Sequence, residues 1–236
     1  MSVFSYHLTK TSYLAALKAI LSSRELKITP GLIHAEYMTA MTLGAAIYSP
    51  ERILARQVAM FAQWENEAAI DRFLNSNSMG QIFSKGWHTR LAFLRQWGNI
   101  SAFQIPGEPP ALNYPDEPVV AVTLARMKLP EIPRFIHWGR PVEKLVRDHP
   151  GVLFSTASIR LPRTVSTFTI WKSQQEMADM VWGNSAVPHQ NRHVNAMKER
   201  ERKDFHFEFT TLRFKPIAEF GEWNGRSNYI PNLKEL

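Results

Sequence analysis

Leu54-Ala-Arg56-Gln-Val58-Ala-Met-Phe61-Ala-Gln-Trp64 returns later in the chain as Leu161-Pro-Arg163-Thr-Val165-Ser-Thr-Phe168-Thr-Ile-Trp171. The pattern L-x-R-x-V-x-x-F-x-x-W, met twice, marks an internal repeat, and a repeat decides the architecture before any single element does. Continued without a gap, Ile70 and Phe73 fall on Met177 and Met180, Asn77-Ser78 falls on Asn184-Ser185, and Arg95 falls on Arg202. Upstream, Pro30-Gly31 falls on Pro150-Gly151, Val3-Phe4 on Ala121-Val122, and Lys10 on Lys128. The upstream and downstream registers differ, so copy one carries a loop insertion around Met41 to Pro50.

Each copy has one order of elements. A strand comes first (2–8; 118–127), then a helix (11–24; 130–148). In copy two the apolar residues Ile132, Phe135, Ile136, Val142, Leu145 and Val146 of that helix recur at helical spacing. Pro-Gly opens a second strand (31–41; 151–160), and the repeated motif is the third (54–64; 161–171). A second helical region follows (66–92; 173–203), then a last strand (94–104; 205–215). This is β-α-β-β-α-β, the split βαβ unit. The fold class is therefore α+β, with tandem ferredoxin-like βαββαβ repeats. A sheet with helices on one face must cover the other. Two such sheets packed together give an α+β barrel from one chain, with room for an apolar cavity between a sheet and its helices. The units are 1–104 and 118–216, joined by a linker at 105–117 with Pro106, Pro109, Pro110 and Pro115, and followed by a tail at 217–236.

Composition narrows the classes. The chain has 236 residues, 44% hydrophobic and 21% charged, and no cysteine. Thiolate ligands, disulfides and cysteine nucleophiles are excluded. The N-terminus lacks the charged and apolar regions of a signal peptide, and no stretch is apolar enough to span a membrane. The expectation is a soluble, cytoplasmic protein, with contact at a membrane surface as a peripheral option. The net charge of +7 suits an acidic protein partner or an anionic membrane. Nucleic acid is not expected, because no recognition module accompanies the charge. No nucleotide, dinucleotide or hydrolase motif is present.

The quoted residues resemble a known family. Phe168-Thr-Ile-Trp171, the helix around His193-x-x-Ala196, the strand Phe207 to Phe214 and the tail Gly221-Glu-Trp223-Asn-Gly225-Arg226 are similar to spheroidene monooxygenase-like proteins, within the antibiotic-biosynthesis-monooxygenase type of dimeric α+β barrel. The resemblance implies a single-chain dimeric α+β barrel that binds haem b and inserts oxygen from O2 into a long apolar, carotenoid-like substrate. Electrons would come from a donor such as ferredoxin. Two other functions stay open: a cofactor-free oxygenase or isomerase that polarises its substrate with His, Tyr or Trp, and a non-enzymatic binder of haem or an apolar ligand. A fused barrel can stand alone or pair again as a homo-oligomer.

Iron in haem takes a neutral imidazole, so the histidines are the first candidates. His193 is expected as the axial ligand, on a helix opened by Ser185 and Pro188. Its counterpart in copy one is Gly86, so one site per chain is expected. His189, four residues earlier, would share its helical face. His206 alternates with Phe205 and Phe207, which places it toward solvent or a polar pocket wall and makes it a second cofactor contact. Arg163, repeated as Arg56, is a candidate for haem carboxylates, against a structural contact to a carboxylate in both copies. Trp64 and Trp171 read as packing, as do Phe135, Ile136 and Trp138. Trp223 in the glycine-rich tail reads as a lid over the barrel or as a pin for the tail.

Overall fold

The computed structural model describes residues 2–21, 29–107, 115–231 and 233. Copy one contains β1 (Val3–Lys10), α1 (Tyr13–Leu21), β2 (Leu32–Met41), β3 (Ile53–Trp64), α2 (Glu67–Ser76), α3 (Ser78–Phe83) and β4 (Trp87–Asn99). Copy two contains β5 (Val119–Met127), a short 3-10 turn, α4 (Ile132–Asp148), β6 (Val152–Arg160), β7 (Thr164–Trp171), α5 (Gln174–Trp182), α6 (Arg192–Arg202) and β8 (His206–Phe220). The expected order holds in both copies, but β4 starts at Trp87, inside the region expected to be helical (66–92), and β8 runs to Phe220, past the expected start of the tail. The end of the first helix expected at 22–24 and most of the linker (108–114) lie outside the described residues. The insertion in copy one is the loop between β2 and β3, anchored on α4 by Glu143, which accepts from Gly44 N and from both terminal nitrogens of Arg52.

The eight strands close into one barrel in the order β1-β3-β2-β6-β7-β5-β8-β4. Two seams join the copies. The β2–β6 seam is short, Thr39 to Met41 against Ala157 to Ile159, and the β4–β8 seam runs from His88 opposite Phe220 to Asn99 opposite Phe209. Alternation along each strand sends one set of side chains inward and the other toward the helices. On β1, Phe4, Tyr6 and Leu8 point into the barrel, while Val3 joins the cluster under the helices of copy one.

The interior is filled. Phe4 packs on Phe61 and Phe214, and Tyr6 stacks on Phe168 with ring centroids 3.9 Å apart. The centre of the barrel is therefore taken by its own aromatic side chains. At one mouth, Glu36 is buried against Arg126 and Arg160, with His34 3.1 Å away. Burial alone raises the Glu36 pKa, but His34 and the two guanidiniums outweigh it and hold the carboxyl down to about 2. At the other mouth the tail folds in. Trp223, Tyr229 and Ile230 join the interior cluster. Glu219 fixes them by accepting from Tyr229 N, Ile230 N and Trp87 Nε1. Trp223 is thus a lid on the barrel. Trp64 and Trp171 are buried packing residues whose indole nitrogens donate to Ser5 and Thr169. No helix among the described residues is long and apolar enough to cross a membrane.

Candidate functional site

The two copies differ on the face that carries the helices. In copy one, Val58, Met60 and Trp64 of the sheet meet Ile70, Phe73 and Phe83 of the helices, and all six are buried. In copy two the matching face is half open. Along α4 only Leu145 is buried, although the helix is strongly amphipathic, and along α6 only Ala196 is buried. On the sheet beneath, Ala121, Thr123, Thr167, Thr211 and Arg213 are half-buried. The Thr123 and Thr211 hydroxyls bond to each other at 3.3 Å across the β5–β8 pair. Small side chains lie below, and Phe135, Ile136 and Val142 above are only half-covered.

His193 stands in the first turn of α6. Its Nδ1 lies 2.9 Å from the carbonyl oxygen of Val181 on α5. A carbonyl only accepts, so Nδ1 carries the hydrogen and Nε2 keeps its lone pair. Burial lowers the pKa of the ring, opposed in part by this bond, and so favours the neutral form. A neutral imidazole with a fixed tautomer is the donor that haem iron uses. The surroundings in sequence differ from expectation. Ser185 does not open the helix; its hydroxyl lies 3.0 Å from His149 Nε2, and α6 begins only after Asn191. His189 sits in the preceding turn with a positive φ of 61°, so it shares no helical face with His193. It lines an open recess of about 410 Å³ with Gln190, Asn191 and Arg192. Among the described residues no three His, Asp or Glu side chains cluster for a metal ion, so an all-protein metal centre has no ligand set there.

Arg163 and His206 lie at the other end of α6, roughly 14 Å of helix away. The Arg163 guanidinium is over the exposed ring of Phe207 at 5.2 Å, in solvent. Its counterpart Arg56 donates to Thr11 O and covers Tyr13, so the carboxylate contact expected in both copies is absent among the described residues. His206 is buried, not on a solvent face, while Phe207 is exposed. The strand begins under α4, where Phe135, Phe205 and Phe209 surround the imidazole. Its Nδ1 is 2.9 Å from Asp204 Oδ1, and its buried Nε2 has no hydrogen-bond partner. Burial lowers the His206 pKa; Asp204 opposes the shift.

Arg213 escaped the sequence reading. It lies directly across from Ala121 on one side and from Arg95 on the other. Both guanidiniums sit over the Trp97 ring, at 4.2 Å for Arg213 and 4.8 Å for Arg95. Burial, and then the charge of Arg95, lower the Arg213 pKa to about 10. Alternation in Thr211-Leu-Arg213-Phe already put Arg213 opposite the inward Leu212 and Phe214, and that signal was available.

No family model matches the chain. No curated protein matches it in sequence. Solved structures do. A proposed monooxygenase of Fusobacterium nucleatum is 7% identical over 94% of each chain, with a TM-score of 0.40. A ferredoxin-fold protein of Listeria monocytogenes related to antibiotic biosynthesis monooxygenases is 13% identical over 91% of this chain and 96% of its own, at 0.30. A haem-degrading enzyme of Listeria monocytogenes is 12% identical over 90% and 99%, at 0.28. These likenesses concern the path of the chain.

Proposed function

We propose that this protein is a haem-dependent monooxygenase that holds an extended apolar, carotenoid-like substrate against the half-open helical face of copy two. The observation that carries this is the half-open face under α4 and α6 beside a neutral imidazole whose Nδ1 is already anchored. His193 would hold iron through Nε2, with the Val181 carbonyl fixing the ring. Arg213, half-buried and without a carboxylate partner among the described residues, would hold the group's carboxylates. Phe135, Ile136 and Val142 exclude water and lie along the substrate chain. Bound haem b supplies the activation of O2, with electrons from a ferredoxin-type donor drawn by the basic surface.

The test is an absorption spectrum of protein from haem-supplemented cells beside His193→Ala. A Soret band that the substitution removes or shifts is expected, and Arg213→Gln should keep the band while weakening haemin affinity. A wild-type protein that takes up no haemin ends this assignment. His206 then supports a second function, a cofactor-free oxygenase. Asp204 holds its Nδ1. Nε2, enclosed by Phe135, Phe205 and Phe209, keeps a lone pair with no partner and would act as the base only on a substrate that displaces this aromatic wall. Loss of cofactor-independent turnover in His206→Gln would mark that case.

A further inference from the structure

We infer that α1 docks the protein on an anionic lipid surface. The helix is inverted for a surface helix. Its small residues Ala16 and Ala19 face the sheet and are buried. Its large ones face out, with Tyr13 66%, Leu14 81%, Leu17 55% and Leu21 70% exposed. Positions 13, 14, 17 and 21 fall on one face of a 3.6-residue helix. Four large apolar side chains together on one face mark an interaction site, whereas single ones do not.

Charge selects the occupant. Within β1 and α1 the charged residues are Lys10 and Lys18, and no acid occurs. Lys18 flanks the stripe on α1. Arg56 rises beside it with its guanidinium 5.8 Å from the Tyr13 ring centre. Apolar side chains entering the acyl boundary, with an aromatic ring and basic side chains at headgroup depth, are the parts of an interfacial helix. A second copy is the other candidate. A two-fold interface on this face would set Lys18 and Arg56 near their own equivalents, and like charges oppose such pairing. An anionic headgroup layer attracts the same cations. The inference does not rest on haem, and its test needs none.

The full chain is sedimented with vesicles of phosphatidylcholine alone and of phosphatidylcholine with phosphatidylglycerol. Wild type should pellet with the anionic vesicles and release as salt is raised. Leu14→Ser/Leu17→Ser should bind about tenfold more weakly, since both side chains leave the lipid and neither contributes to the core. Unchanged circular dichroism shows that the variant is folded. Lys18→Glu, which leaves the apolar stripe intact, should also weaken binding. The idea falls if wild type stays in the supernatant, if the double variant pellets as wild type does, or if both vesicle types bind equally. It falls also if wild type is a dimer that the double variant dissolves, because the stripe is then an interface between copies.

Discussion

His88 shows how much one buried side chain sets the response to pH. It lies directly opposite His7 on the neighbouring strand, with the two rings stacked at 4.9 Å, and Phe220 stacks on its other side. Its Nε2 is buried and has no hydrogen-bond partner. Burial first, and then the charge of Arg90, lower the His88 pKa from 6.5 to about 4, against a smaller pull from Asp71. The unfolded chain therefore takes up this proton near pH 6.5 and the folded chain only near pH 4. Stability is complete above 6.5 and falls as the pH drops from 6.5 to 4, by ~3 kcal/mol for this group. His7, His193 and His206 are lowered too and add to the fall. Phenylalanine keeps the stacked shape and removes the unbonded nitrogen, so His88→Phe should cost no more than ~1 kcal/mol at pH 7. Urea unfolding at several pH values should then show a shallower decline between 6.5 and 4, and an unchanged slope would assign the pH response elsewhere. None of this was legible in the sequence. Eight histidines are visible there, but which are neutral depends on strand register, and register is a property of pairs.

At the scale of elements, the repeat read from the sequence holds from Pro30-Gly31 and Pro150-Gly151 to Asn77 and Asn184. It is two residues off in the first strand, where the pairing matches Val3 with Val119 and Lys10 with Arg126. It breaks just after Asn77 and Asn184. In copy one Asn77 accepts from Met79 N and Gly80 N, which starts α3 at once, and β4 follows from Trp87. In copy two Gly183, at φ 74°, ends α5, and the chain turns until Asn191 before α6 begins. Gly86 is thus a turn residue before β4 and is no counterpart of His193. Arg95 lies on β4 and Arg202 on α6, so that match fails as well. A gapless comparison cannot see an insertion whose flanks are both polar. The short path of copy one depends on Gly80, where an added Cβ would stand 1.8 Å from the Phe73 carbonyl oxygen. Backbone cannot yield as a flexible side chain does. Gly80→Ala should therefore cost about 2–3 kcal/mol in urea unfolding. Gly107→Ala, with open space around it, should leave stability unchanged. Equal midpoints for the two variants would mean that α3 shifts freely, and the closed packing of copy one would lose its explanation.

For the whole molecule, sequence periodicity fixes which residues share a face, but not whether the facing sheet fills the space between. Phe4, Tyr6 and Phe61 were readable as inward on copy one, and Phe168 and Phe214 on copy two. Their meeting in the barrel centre was not readable, because it depends on two seams between copies. Each copy is the other's missing layer. Tyr6 stacks on Phe168, and Phe4 lies 5.0 Å from Phe214. Glu36 of copy one is buried against Arg126 and Arg160 of copy two. A copy alone would bare this aromatic face, leave a buried charge uncompensated and open the β4 and β8 edges, each a template for wrong pairing. Separate chains covering 1–107 and 115–236 should each aggregate or pair with themselves. Refolded together they should give a 1:1 complex that elutes with the intact chain by size exclusion with light scattering. That complex should unfold in one transition, because the interior spans both chains. Adding Glu36→Ala to the first half should lower the yield of complex, since two guanidiniums lose their shared carboxylate. Should either half prove a stable monomer with its own cooperative transition, the interior would be two cores in contact, and the filled barrel would not be what holds the copies together.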